Sequence, residues 1–205
     1  MIAIDSHLNS CYNHTNLKKG CGNLNTGNPP LNYSLGKQRA FDSVSSTINL
    51  TGGLTLSQLA EISGLETTTI QNWVKRGWVV PPKSRRYGET STARVLIISM
   101  LRGSMQLGDI VELMAYVNGK VNDRADDAVP DSELYNMLCN IIKTINNSNF
   151  RIADIDDVIE KELESYSEPF EGGKNKITKT LKIMTLAYYS AELKKSAEKL
   201  KAEIK

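Results

Sequence analysis

The chain has 205 residues, a formal net charge of +2 and 40% hydrophobic residues. This length suffices for one compact domain with extensions or for two small domains. No run of about 18 apolar residues occurs and the N-terminus lacks a signal-peptide pattern, so we expect no membrane partner and a cytoplasmic location. The three cysteines, an odd number, agree with a reducing compartment.

Residues 1–50 are predicted to be a flexible, asparagine-rich arm. They contain eight asparagines and the pair Pro29-Pro30, with little periodic apolar content to offset the entropy lost on ordering. The arm also holds Cys11, His14 and Cys21, which lack a fourth ligand at a typical zinc spacing. We therefore predict no metal site and no cofactor.

A pair of short helices is predicted next. Thr55 and Gln58 have the spacing of a capping box at a helix start, and Gly64 ends that helix. A second helix begins near Thr67 and directs Ile70 inward. A small residue, a turn glycine and a branched apolar residue in this order are typical of a helix-turn-helix.

The outward face of the second helix and the segment after it are polar and basic. Amides and hydroxyls can read base edges, and cations can contact phosphates. Residues 67–94 carry six basic residues and one acidic residue, Glu89, which focuses positive charge in this stretch. The predicted DNA-binding residues are Thr67, Thr68, Thr69, Gln71, Asn72, Lys75, Arg76, Lys83, Arg85, Arg86, Tyr87 and Arg94.

The remainder of the chain is predicted to be helical. Two amphipathic helices follow, one from about residue 90 and one from about Leu107, then a polar linker over residues 119–130. A helix after Pro130, an acidic helix near residues 155–163 and a long last helix, roughly Lys176 to Lys205, complete an essentially all-α chain. Residues 123–171 hold thirteen acidic and four basic residues, which suggests a body turned away from DNA.

The last helix carries a seam at alternating steps of three and four residues, apolar except for Ser190, and this spacing is typical of a coiled coil. This seam predicts a homodimer, although a terminal helix packed on its own domain would give a similar pattern. The predicted dimerisation residues are Ile183, Leu186, Leu193, Ala197, Leu200 and Ile204.

The run from Leu54 to Asn118, with "TTTIQNWVKRGWVVPP", "KSRRY" and "LRGSMQLGDI", resembles the N-terminal domain of the MerR-like transcription regulators, or an uncharacterised bacterial group carrying that domain. The resemblance implies a winged helix-turn-helix of four helices with a small β wing, double-stranded DNA as partner, pairing through a C-terminal helix and an unknown small-molecule effector. The chain departs from the family at Thr68, Gln71 and Asn72, where arginine and tyrosine are usual, so no operator sequence is implied.

These patterns predict three parts: the arm over residues 1–50, a winged DNA-binding domain over residues 51–120, and a helical dimerisation and effector region over residues 121–205. The predicted function is that of a DNA-binding bacterial transcription regulator. The alternative is a protein-interaction adaptor that keeps the winged fold without reading DNA. We do not predict an enzyme, because the two histidines lie in the arm and no catalytic motif appears in the folded part.

Overall fold

The computed structural model describes residues 39–119, 127–146 and 152–204. These form eight α-helices and a short 3-10 turn at Ile152–Asp154. The helices are α1 (Asp42–Thr51), α2 (Leu56–Ser63), α3 (Thr67–Lys75), α4 (Glu89–Leu101), α5 (Leu107–Asn118), α6 (Asp131–Asn146), α7 (Ile155–Glu162) and α8 (Gly173–Glu203). None of the helices in these ranges is long and apolar enough to cross a membrane.

The all-helical class and the long final helix are confirmed. Within the described ranges the only β structure consists of two isolated bridges, Leu54 with Tyr87 and Lys83 with Arg86. The predicted small β wing therefore does not form regular strands, and its backbone pairs at single positions only.

Helix α1 corrects the predicted boundary of the N-terminal arm. The Phe41 N–H donates a hydrogen bond of 2.9 Å to Oδ1 of Asn136, and the rings of Phe41 and Tyr135 pack edge to face at 6.0 Å. Arg39 forms an ion pair with Glu133. The assignment of residues 39–50 to a flexible arm is wrong, because these long-range contacts with α6 order them. The remainder of the predicted arm, with its Cys11, His14 and Cys21 cluster, lies outside the described residues.

The predicted first helix pair forms as α2 and α3. Thr55 and Gln58 make a capping box at the start of α2, which satisfies two backbone N–H groups that the helix leaves free. Gly64 ends α2 with a φ of 62°, and the Leu65 N–H donates to the Ala60 carbonyl at 3.1 Å. Glycine adopts this left-handed backbone without a Cβ clash, so the chain can turn sharply into α3.

Helix α4 lies at the centre of the fold. All eleven residues from Ser91 to Leu101 are buried, and the helix packs on α2, α5, α6 and α8. Inside this packing, Arg94 Nη1 lies 3.1 Å from Oδ2 of Asp131, and Asn118 Nδ2 donates to Oδ1 of Asp131 at 2.9 Å. The predicted regions 51–120 and 121–205 therefore share one hydrophobic core.

Helices α6, α7 and α8 pack against one another and carry the C-terminal part of this core. The turn after α4 is fastened to α8, since the Ser104 hydroxyl donates to the Ala187 carbonyl at 2.6 Å. Cys139 on α6 is buried, and burial raises the pKa of its thiol to about 12. Cys139 is therefore a thiol of the core.

Candidate nucleic-acid interface

The outward face of α3 is polar along its length and cationic at its C-terminal end. The buried residues Ile70 and Trp73 anchor the helix, which leaves the opposite face in solvent. Its exposed residues are Thr68, Gln71, Asn72 and Lys75, followed by Arg76 at the C-cap, while Thr67 and Thr69 are half-buried. No acidic residue occurs within Thr67–Lys75, so a polyanion meets no like charge along this face, although the N-cap residue Glu66 is exposed at its start.

The end of α3 is defined by Gly77, whose φ of 74° stops the helix. The Arg76 guanidinium lies over the Trp78 ring, 5.0 Å from its centre, which is within the range of a cation–π interaction. This contact holds an exposed cation at the C-terminal end of α3, where the helix dipole also favours positive charge.

A tight turn over residues 83–86, called the basic turn below, follows the Pro81-Pro82 step. The Lys83 N–H donates to the Arg86 carbonyl at 3.0 Å, and the Arg86 N–H donates to the Lys83 carbonyl at 2.8 Å. Between them, Ser84 and Arg85 have φ angles of 48° and 62°. Positive φ at both central residues defines a type I′ turn, which directs the Lys83 and Arg85 side chains into solvent.

The basic turn is fastened to the segment before α2. Leu54 and Tyr87 exchange two backbone hydrogen bonds of 2.9 and 2.8 Å. The Arg86 Nη1 donates to the Gly53 carbonyl at 2.9 Å, which leaves its side chain half-buried. The turn therefore stands at a fixed position beside the entry to the α2–α3 pair.

Two of the predicted DNA contacts are wrong. Arg94 is only 2% exposed and its guanidinium is paired with Asp131, so it cannot reach a phosphate. Tyr87 is 3% exposed, and burial raises the pKa of its hydroxyl. Arg94 lies within an unbroken run of buried residues. The apolar residues on each side of it in the sequence could have indicated that its side chain is buried. Its partner Asp131 is 37 residues away and could not be recognised from local sequence.

The predicted seam of α8 lies on the surface of the described chain. Ile183, Leu186, Leu193, Leu200 and Ile204 are 40–86% exposed, and Ala197 is exposed as well. The opposite face of α8 is buried as far as Ala191, after which no residue of the helix is buried. The seam therefore does not pack on the protein's own described core.

A pocket of about 390 Å³ lies between the start of α6 and residues 162–169. Burial raises the pKa of Glu162 at its edge, while a hydrogen bond from Asn140 and the charge of Arg39 oppose this effect. Among the described residues no group of three or more histidine, cysteine or acidic side chains is placed to hold a metal ion. The small-molecule effector stays a prediction.

Comparison with known proteins gives two similarities. The family profile "Domain of unknown function (DUF1836)" matches residues 41–138, which begin at the start of α1 and end within α6. "Uncharacterized protein YkrK" of Bacillus subtilis (strain 168) is 23% identical over 160 residues, or 73% of this chain and 69% of that protein. No solved structure matches the chain.

Proposed function

We propose that this protein is a DNA-binding transcription regulator of MerR-like winged helix-turn-helix type. Helix α3 enters the major groove, and the basic turn acts as a minimal wing that contacts the adjacent phosphate backbone. The protein acts as a homodimer, so that two copies of α3 read two half-sites.

The observation that carries the proposal is the outward face of α3. Gln71 and Asn72 are exposed amides, and an amide can make two hydrogen bonds to the edge of an adenine. Lys75 and Arg76 follow at the end of the helix, where they can meet phosphates that border the groove. A rigid helix with this order of groups supports both base reading and backbone contact.

The basic turn supports the same function because it adds Lys83 and Arg85 shortly after α3. Their side chains are exposed, and the turn is held by the hydrogen bonds to Gly53 and Leu54. Phosphate contacts position a protein on the duplex without reading sequence, so a fixed turn next to the reading helix complements it.

Helix α8 supports the dimer. Its last twelve residues, Glu192–Glu203, lack buried side chains, although an isolated helix of this length is marginal in water. With the exposed Ser190 included, the seam steps by three and four residues from Ile183 to Ile204, which is the spacing that buries side chains between two helices. A second copy of α8 is the partner that this spacing fits.

The test is the salt dependence of binding by the full chain to a mixed-sequence DNA duplex, measured by fluorescence anisotropy. The affinity should fall steeply as salt rises, because bound counterions are released from the phosphates. Replacing both Lys75 and Lys83 by alanine should reduce the log–log slope by about 2 per chain bound. The matched control replaces Lys174 and Lys179, two exposed lysines of α8, and should leave the slope unchanged.

The adaptor remains the second candidate because α7 and its extension present an acidic surface. Asp157 and Glu160 are exposed and lie three residues apart on one face of α7, and Glu164 is exposed in the turn after it. Such a face could bind a basic protein segment. If the wild-type chain fails to bind DNA at low salt, the regulator proposal is refuted and the adaptor becomes the leading function.

A further inference from the structure

We propose that the basic turn gives its two arginines different tasks. Arg85 contacts the phosphate backbone of DNA, whereas Arg86 is a positioning residue that holds the turn in place. This inference depends on the proposed function, since both tasks serve the same DNA surface.

The backbone conformation at the tip of the turn indicates that the Arg85 side chain has a functional role. Ser84 and Arg85 both have positive φ, a conformation that glycine and asparagine adopt readily and other residues adopt at a cost. Two-residue turns of this type therefore favour Asn-Gly. Backbone strain of this kind clusters at functional sites. The Arg85 side chain is exposed and makes no hydrogen bond or ion pair with the described residues, so its charge is free for a ligand.

Arg86 has a different environment. Its guanidinium donates to the Gly53 carbonyl at 2.9 Å, and its backbone closes the turn through both hydrogen bonds with Lys83. The side chain is half-buried and 33 residues distant in sequence from its acceptor. It thus joins the turn to the chain that leads into α2, which fixes where Arg85 stands.

Gly53 accepts this hydrogen bond and leaves room for the turn because it has no side chain. Its φ is 125°, and a Cβ there would lie 2.8 Å from the Tyr87 carbonyl oxygen and 2.9 Å from Cβ of Arg86. Any side chain at residue 53 must therefore displace the turn. Gly53→Ala consequently disturbs the position of the turn without changing any charge.

The experiment measures DNA affinity against salt concentration, with melting temperature, for the full chain and five variants. Ser84→Asn combined with Arg85→Gly removes the Arg85 charge but gives the turn its preferred residues. The contact between Arg86 and Gly53 is tested by Arg86→Ala, by Gly53→Ala and by the variant that combines them. Ile159→Val, which trims a buried side chain of α7, is the control for a general loss of stability.

The Asn-Gly variant should melt no lower than wild type, yet its log–log slope should fall by about 1 per chain bound. Arg86→Ala and Gly53→Ala should each weaken binding by at least about tenfold and lower the slope by about 1, because the displaced turn no longer brings Arg85 to its phosphate. Gly53→Ala should do so without removing any charge. The double variant should bind no more weakly than the worse single variant, since both changes break the same contact. Ile159→Val should bind DNA as wild type does.

The inference is overturned if Gly53→Ala leaves the affinity and the slope unchanged, or if the double variant binds DNA more weakly than either single variant, which would mean that Arg86 contacts DNA itself. Either result with a wild-type protein that binds DNA leaves the proposed function in place. Loss of binding by the wild type itself refutes the proposed function instead.

Discussion

At the scale of single residues, a buried charge network joins helices α4 and α5 to helix α6. Arg94 and Asp131 are both nearly inaccessible, and Asn118 donates to the second oxygen of the same carboxylate. Nε and Nη2 of Arg94 have no hydrogen-bond partner among the described residues. Removing one member of such a pair leaves an uncompensated charge in a medium that solvates it poorly, so the pair ties α4 to α6 tightly.

Asp131→Ala should lower the free energy of unfolding by about 3–5 kcal/mol, because Arg94 is then buried without its counter-charge. Urea denaturation of the full chain measures this. Asp157→Ala, at an exposed position of α7, serves as the control and should change stability by less than about 0.5 kcal/mol. A loss below about 1 kcal/mol for Asp131→Ala would show that the network is not holding α4 and α6 together.

Cys139 gives a pH-dependent prediction. Burial raises the pKa of its thiol from 9.0 to about 12, against a hydrogen bond from Tyr135 that acts in the opposite direction. Above pH 9 the unfolded chain loses this proton first, so the folded state becomes relatively less stable as the pH rises. The loss is about 1.4 kcal/mol per pH unit between about pH 9 and 12.

The measurement compares wild type with Cys139→Ala by urea denaturation at pH 8 and pH 10. Other titrating groups cancel in the difference between the two proteins. We expect wild type to lose at least about 1 kcal/mol relative to the variant between these pH values. An unchanged difference would mean that the thiol ionises equally easily in the folded and unfolded chain.

At the scale of elements, α8 has two different environments along its length. Its first half buries Ile177, Leu181 and Met184 in the core, and its second half extends beyond that core. The seam begins on the solvent side of the first half and continues into the second. Pairing through this seam would place two α8 helices against each other while each remains fastened to its own α4 and α5.

Leu193→Glu should break the proposed dimer, because it introduces a charge at the middle of the seam. We expect the dimer dissociation constant to rise by at least about 100-fold, which corresponds to about 2.7 kcal/mol. Sedimentation velocity over a concentration series measures the change. The control, Lys194→Glu, introduces a glutamate at the neighbouring position, which lies outside the row of a and d positions. It should change the dimer dissociation constant by less than about tenfold. A wild-type monomer well above micromolar concentration would refute the dimer.

At the scale of the whole molecule, the predicted DNA-binding region does not have a core of its own. Helix α4 is buried on every side because α6 and α8 cover the faces that α2 and α5 leave open. Helix α1 likewise packs on α6 through Phe41. The surface of α3 is therefore carried by a scaffold that includes the C-terminal helices.

A chain limited to residues 39–119 should consequently fail to fold. Without α6 and α8 it would expose one side of α4 and leave Arg94 without Asp131. Circular dichroism should show no cooperative melting transition for this fragment, whereas the full chain should unfold in a single transition. A cooperative transition in the fragment would show that residues 39–119 form an autonomous domain.

The sequence by itself determined the local features of this protein. These features are the capping box at Thr55, the turn at Gly64, helices α2–α5 and the seam of α8. Each depends on neighbours within a few residues, so periodicity and capping patterns predict it. The exposed polar face of α3 follows from the same periodicity, because Ile70 and Trp73 define the buried side.

Only the tertiary structure decided which basic residues remain free. Lys75, Lys83 and Arg85 are exposed, but Arg94 is buried against Asp131 and Arg86 is drawn to the Gly53 carbonyl. Each of those two partners is more than 30 residues distant in sequence. The order in α1 also depends on α6, since local propensity is too weak to fix a helix of ten residues without packing. Long-range contacts carry no periodic signal, and therefore the choice between a surface cation and a buried one required the fold.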